Sequence, residues 1–586
     1  MKYPTLQVQS GTRQILDTFK GYNHNLRISD GEFYDMANMT SDSYPVLSPR
    51  AKRSIFLSSA NPQGMIAKDS LCYVDGSDFV INGYHVAMDL STEADDCPKQ
   101  LVSMGAYVII LPDKKWVNTL DTTEFGNIEA SVETSTDVSF ELCKIDGQTY
   151  SNTTVSATEP EAPSNLDLWI DTSGKPHVLK QYSESAAMWV TVATTYVKIS
   201  ATGIGEPFEQ YDGVSISGIL DESLADLNSS MTILEKGDDY IVVAGILDET
   251  MVQTAQEGSV TVKREMPYMD YVIESENRLW GCRYGVASNG EVVNEIYASK
   301  LGDFKNWNCF MGLSTDSYAA SCGTDGPFTG AITHLGYPLF FKENFVHKVY
   351  GNYPANFQIQ TTACRGVQKG CGSSLAIVNE VLYYKARSGI CAYDGSLPTE
   401  MSYALGNVLY SDAVGGAHGN KYYVSMKDSA NVWHLFVYDS AKNMWHKEDS
   451  FHARAFCSCR GDLYAIDDAT GKILSMLGTG TEDYEKAVKW MAQTGEIGIS
   501  SPDMKYISRI TIRMSMDIGA ELFIYAQYDL DDEWVLVGQL VGTSLRSFSI
   551  PIRPRRCDHM KLRLEGEGMA KVYSITKTIE QGSDLS

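Results

Sequence analysis

The sequence predicts an all-β fold: a six- or seven-bladed β-propeller interrupted by a small inserted β domain and followed by a C-terminal β-sandwich. Three observations carry this. Apolar residues alternate with polar ones in short runs, as in Tyr107-Val108-Ile109-Ile110-Leu111 and Glu521-Leu522-Phe523-Ile524-Tyr525, while helical periodicity is scarce. The composition, 43% hydrophobic and 11% aromatic with 48 Gly and 34 Tyr, suits many strands joined by tight turns. Finally, one short pattern of strand, tight turn and second aromatic strand returns along the chain.

The pattern occupies 65–73, 101–109, 271–280, 332–341, 375–384, 416–424 and 455–465. Its apolar position after the turn falls at residues 71, 107, 279, 339, 382, 422 and 463, with steps of 36, 172, 60, 43, 40 and 41. A four-stranded blade needs about 40 residues, so most steps match one blade. A second recurring unit of strand, acidic turn and aromatic plug appears at 296–307, 390–395 and 436–445, and its aromatic residues read as packing between blades.

The spacing divides the chain into five parts. An extended arm leading into the propeller covers 1–54, and the first blades cover 55–122. The long step of 172 places an insertion at 123–265, rich in Thr, Ser, Val, Asp and Glu, which reads as a small β domain projecting from the ring. The remaining blades cover 266–477. After Leu477 the segment GTGTEDYE reads as a linker, and 478–586 turn to long alternating strands, the signature of a sandwich.

The chain carries 48 Lys and Arg against 74 Asp and Glu, a net charge of −26. Such an acidic surface disfavours diffuse binding to nucleic acid or to an anionic membrane. Residues 541–577 invert this trend, with eight Lys or Arg against three Asp or Glu, so the C-terminal domain is expected to have a basic face. The first twenty residues hold no apolar core of signal-peptide length, which predicts synthesis in the cytosol, and the twelve Cys, scattered singly on strand-like segments, read as reduced packing residues.

Candidate chemistry is sparse. The run Asp529-Leu530-Asp531-Asp532-Glu533 offers the oxygens a hard cation wants but lacks the EF-hand spacing, and a hairpin turn between Tyr528 and Trp534 accounts for it. His446, His452, Cys457 and Cys459 match no compact zinc site. No nucleophile elbow, H-E-x-x-H helix, P-loop, Rossmann fingerprint or sialidase Asp-box stands in a credible context. The expectation is therefore a chain without metal or cofactor and without enzymatic activity. Paired carboxylates for glycoside hydrolysis would come from distant blades and leave no local signature. The most distinctive local feature is Pro551-Ile552-Arg553-Pro554-Arg555-Arg556-Cys557-Asp558-His559. Its prolines fix an extended backbone that presents arginines at a sheet edge. Two readings stand: an edge strand guarded by charge, or an assembly contact in which Arg553, Arg555, Arg556 and His559 meet the acidic body of a neighbouring subunit.

Two segments carry a family resemblance. Gly21-Tyr22-Asn23-His24-Asn25-Leu26-Arg27, followed by Glu32-Phe33-Tyr34-Asp35-Met36-Ala37-Asn38-Met39-Thr40 and Tyr44-Pro45-Val46-Leu47-Ser48-Pro49-Arg50, resembles the opening of phage virion proteins. Asn277-Arg278-Leu279-Trp280-Gly281-Cys282 with Ile296-Tyr297-Ala298-Ser299-Lys300-Leu301-Gly302-Asp303 and Trp307 is similar to a blade of the packaged-DNA stabilization and tail-nozzle proteins of short-tailed bacteriophages. The resemblance covers the propeller and not the insertion. It implies a homo-oligomeric ring, often sixfold, attached to portal, adaptor and other tail proteins in the virion, through which packaged DNA passes without sequence-specific binding. A glycan-binding or glycan-degrading phage tail propeller is the alternative, and a cellular scaffolding propeller the second alternative.

Overall fold

The computed structural model describes residues 11–58, 61–135, 137–150, 153–175, 177–193, 195–247, 251–253, 259–287, 290–499, 504–542, 546–551 and 555–581. Among these residues the chain forms strands and five short 3-10 turns, with no α-helix. The fold is the β-propeller that the repeat predicts, and it has seven blades.

Each copy of the repeated pattern is the innermost hairpin of one blade. The inner strands are Pro62–Ala67, Gln100–Met104, Tyr271–Ser275, Gly330–His334, Ala376–Val378, Tyr410–His418 and Ala453–Cys459, and each pairs antiparallel with the next strand in the chain. The turns between them explain the pattern. Glu276 and Asn277, Leu335 and Gly336, Asn379 and Glu380, and Arg460 and Gly461 are consecutive residues with positive φ, the primed two-residue turns whose twist matches that of the flanking strands. Neighbouring inner strands face one another around the ring, with the turn Gly372–Ser374 bridging blades four and six. Separate apolar clusters fill the wedges between adjacent blades, such as Trp116, Leu279, Phe304 and Trp307 between blades two and three.

Ring closure departs from the linear division of the sequence. Ser54–Leu57 is the fourth strand of blade seven, pairing with Ile473–Ser475, so the N-terminal and C-terminal ends of the propeller sequence share one sheet. Glu482–Asp483 pairs with the same strand from the other side. The segment GTGTEDYE is thus a fifth strand on the last blade in place of a free linker. Phe125–Asn127 is the outer strand of blade two, so the insertion begins after it and not at 123.

The insertion consists of three sheets around a core that includes Phe140, Ile199, Ile216 and Val262. A buried polar junction fastens it to blade three. The Asp212 carboxylate accepts from the Arg264 guanidinium and, at 2.8 Å, from Asn306 Nδ2, while Asn306 Oδ1 accepts from Gly213 N at 2.8 Å. Replacing Asp212 by alanine strands a buried guanidinium and is expected to cost about 3 kcal/mol. Limited proteolysis should then cut near residues 128 and 264 while the propeller stays intact.

Both termini build the sandwich. Thr12–Leu16 pairs with Ala570–Gln581 in one of its sheets. The other sheet does not end at the domain: ten strands run from blade six through Gly21–Tyr22 and Glu32–Ala37 to Lys489–Thr494, Met560–Glu567, Glu521–Tyr528 and Val535–Val541. Alternation fixes its two faces. In Glu521–Tyr528, Leu522, Ile524, Ala526 and Tyr528 enter the core, and Glu521, Phe523, Tyr525 and Gln527 face outward. The continuous sheet links blade six to the sandwich, crossing between them at the pair Tyr22 and Trp445.

Candidate functional site

The described residues of the basic run are placed in different surroundings. Arg553 lies outside the described residues. Arg555 is half-exposed and already engaged within the chain, its Nη1 lying 2.7 Å from Asp531 Oδ2 and its guanidinium 5.3 Å from the Tyr528 ring. Arg556 is exposed on a short strand, Arg556–Cys557, paired with the edge of the long strand Lys505–Met516. His559 is buried, with Nδ1 3.0 Å from Asp558 Oδ2, so its ring is turned inward rather than displayed on an edge. The acidic turn at 529–533 is organised the same way: Asp529 Oδ1 accepts from Asp558 N and His559 N at 2.7 and 3.1 Å.

The histidines and cysteines considered for zinc are also dispersed. His446 is buried within blade six. His452 stacks on Trp433, with ring centroids 3.6 Å apart, and lies 3.1 Å from Asp468. Cys457 sits on the inner strand of blade seven, where burial pushes its thiol up to about 12, a value that keeps it protonated and inert. All twelve cysteines are free.

A cavity of about 340 Å3 lies between blades three and four. Its mouth is framed by two of the primed hairpin turns, which bring Glu276 and Leu335 to the surface, and by Tyr337 at the start of a strand. The left-handed conformation at Gly336, φ +80°, turns the chain back sharply enough for Tyr337 to stand at the rim, where it is 37% exposed. Aromatic walls line the space beyond. Tyr337 and Tyr350 are 4.9 Å apart, and Trp280 meets Phe357 edge to face at 5.0 Å. Lys348 Nζ lies 4.1 Å from the Tyr337 ring centre, enriching this wall with a cation.

The floor is rigid. Arg278 is buried and donates to the carbonyls of Ser299, Asp316 and Ser314 at 2.7, 2.6 and 2.9 Å, an arrangement that ties the hairpin to the loop beyond the third strand. Burial pulls the guanidinium pKa down, and the negative charge of Asp316 opposes that shift in part. Asn352 supplies an amide at the rim, and Glu276 is the single carboxylate of the lining. Stacking walls with a few directed polar groups suit a ligand that has apolar faces and hydroxyl edges. Hydrolysis by paired carboxylates would need a second acid from outside this lining.

Trp280, Tyr337 and Pro338 all lie in the first repeated pattern, which in sequence reads as blade strands and not as a site. The signal lay in the exception: an aromatic directly after a primed turn, on the solvent side of the hairpin.

No protein-family profile and no curated protein matches the chain. Solved structures do align with it. An exo-β-1,3-galactanase from Phanerochaete chrysosporium is 9% identical, covering 52% of this chain and 94% of its own, with a TM-score of 0.20. A family 43 glycoside hydrolase engineered for endo-xylanase and exo-arabinofuranosidase activity is 9% identical, covering 53% and 97%, with a TM-score of 0.20. A sialidase from Trypanosoma rangeli is 7% identical, covering 91% and 96%, with a TM-score of 0.17. These aligned chains are a galactanase, a glycoside hydrolase and a sialidase, so the expectation of a chain without enzymatic activity is corrected and does not stand.

Proposed function

We propose that the chain is a glycan-directed β-propeller of a bacteriophage tail, and that a saccharide of the host surface seats in the cavity between blades three and four. The observation that carries this is the pairing of aromatic walls, Tyr337 with Tyr350 and Trp280 with Phe357, around a rim of Asn352 and Glu276. Pyranose rings offer C–H faces to such walls and hydroxyls to such a rim. The phage assignment rests on the N-terminal and blade-three segments. Both hold structural posts here: the first threads Tyr22 and Phe33 between blade six and the sandwich, and the second supplies Arg278 and Trp280 to the cavity.

Titration of the purified chain with host surface polysaccharide tests the reading. Tyr337→Ala is expected to weaken binding at least about 10-fold, near 1.4 kcal/mol, without lowering the melting temperature. The same incubation is assayed for new reducing ends, whose appearance assigns cleavage as well as binding. Unchanged affinity in Tyr337→Ala removes the cavity from the proposal, and absence of the chain from purified virions removes the tail.

A further inference from the structure

The outward face of the sandwich's larger sheet has an unusual composition for a surface exposed to water. On Glu521–Tyr528 it presents Phe523 and Tyr525, both half-buried, where solvated strands carry Lys, Glu or Thr. Trp534, in the turn beyond, joins them across the guanidinium of Arg563, which lies 4.6 Å from the Trp534 ring and 5.4 Å from that of Tyr525. Arg563 is anchored by Glu565 at 2.7 Å. The cation between two rings holds both in place, so the aromatic surfaces are set before any ligand arrives.

Amides surround the rings. Register places Gln493 beside Arg563, Gln527 beside Lys561 and Gln539 beside Phe523, all on the same face. The charges on these strands' outward positions cancel, with Lys489, Lys561 and Arg563 against Glu521, Glu565 and Glu567. In a chain of net charge −26, a neutral face of rings and amides matches an uncharged ligand.

We infer that this face is a second binding site, a flat platform for a neutral oligosaccharide segment that lies across the strands and stacks on Phe523, Tyr525 and Trp534. It shares only its ligand class with the blade-three cavity and stands without it. One ten-stranded sheet runs from blade six to the strands of the platform. A long polymer that reached both sites would gain affinity from the connection, whereas its short fragments would not.

Affinity electrophoresis of the full chain through gels containing dextran, laminarin or arabinoxylan, with anionic alginate as comparison, tests the inference. The wild type is expected to be retained by at least one neutral polymer. Trp534→Ala and Tyr525→Ala should each weaken that retention about 10-fold, Trp534→Phe should keep most of it, and all three should melt with the wild type. Tyr337→Ala addresses the cavity alone: retention lost in Trp534→Ala but kept in Tyr337→Ala supports the platform even if the cavity reading fails. The inference is overturned if no neutral polymer retains the wild type, if both alanine variants migrate as the wild type does, or if Trp534→Ala changes only self-association, which would make the face a protein contact.

Discussion

Replacing Arg53 by alanine is expected to destabilise the chain by about 3–5 kcal/mol, the range for removing one partner of a buried charge network. The Arg53 side chain is 2% exposed, with Nη2 2.7 Å from Glu448 Oε2 and Nη1 2.8 Å from Asp449 Oδ2. Its guanidinium also lies 4.7 Å from the centre of the Phe451 ring. Arg50 adds a contact to Glu485 at 2.7 Å. These residues come from the segment before the closing strand, the loop between blades six and seven, and the chain just after the strand added to blade seven. One cluster of charge therefore clasps the seam where the ring closes. Burial by itself would raise the Asp449 carboxyl, and the charge and hydrogen bonds of Arg53 overcome it to hold that group below its usual range. Without Arg53, buried Glu448 and half-buried Asp449 keep only the longer contacts of Arg50, at 3.3 and 3.4 Å. Urea denaturation should show the loss, and hydrogen exchange should place the earliest opening in Ser54–Leu57 and Ile473–Ser475. Adding Glu448→Gln to Arg53→Met should recover part of it, and equal midpoints for wild type and Arg53→Ala would show that the cluster does not hold the seam.

The second large effect is loss of stability in mild acid. Burial, reinforced by Lys421, lowers the pKa of His446 to about 3, and burial, reinforced by Lys342, lowers that of His347 to about 4. His347 is fully buried between two threonine hydroxyls, with Thr324 at 2.9 Å and Thr361 at 2.8 Å, and has no carboxylate partner in these bonds. Above pH 6.5 both rings are neutral whether the chain is folded or not, and they contribute no pH dependence. Below it, the unfolded chain takes up protons that the folded chain refuses. Each unit of pH then costs up to about 1.4 kcal/mol per histidine, until the folded-state pKa is reached. The cost accumulates to roughly 3–5 kcal/mol for each ring at the acid end of the window. Carboxylates held low by partners, Asp449 and Asp439 among them, add their own loss only nearer pH 4. The slope of stability between pH 6.5 and 5 therefore belongs to the histidines. It should be reduced in His446→Gln and in His347→Gln, and a flat profile in the wild type over that interval would contradict the burial argument.

Much of the architecture was legible because it is written locally. A hairpin that needs a primed turn places Asn, Gly or Glu at positive φ between two apolar strands, and that signature recurs at 276–277, 335–336, 379–380 and 460–461 however distant the blades are. The insertion was legible as an interruption of the spacing. The limits of each part were not. The spacing puts the boundary between arm and first blades at 54 and 55, whereas Ser54–Leu57 is the last strand of blade seven, because an edge left open by Ile473–Ser475 is completed by whichever strand can reach it. The basic run illustrates a second limit. Three arginines and a histidine within seven residues read as one charged surface, whereas the fold pairs Arg555 with Asp531 and turns His559 inward.

By itself, then, the sequence determined the all-β class, the repeat that makes the propeller, and the presence of two further β units, since periodicity and turn chemistry depend only on near neighbours along the chain. The tertiary structure alone decided the seven-bladed count, the closure by the N-terminal strand, the single sheet that fuses blade six to the sandwich, and both aromatic surfaces. Those depend on contacts between residues far apart in the chain, such as Trp280 with Phe357 and Tyr525 with Arg563, which no local pattern records.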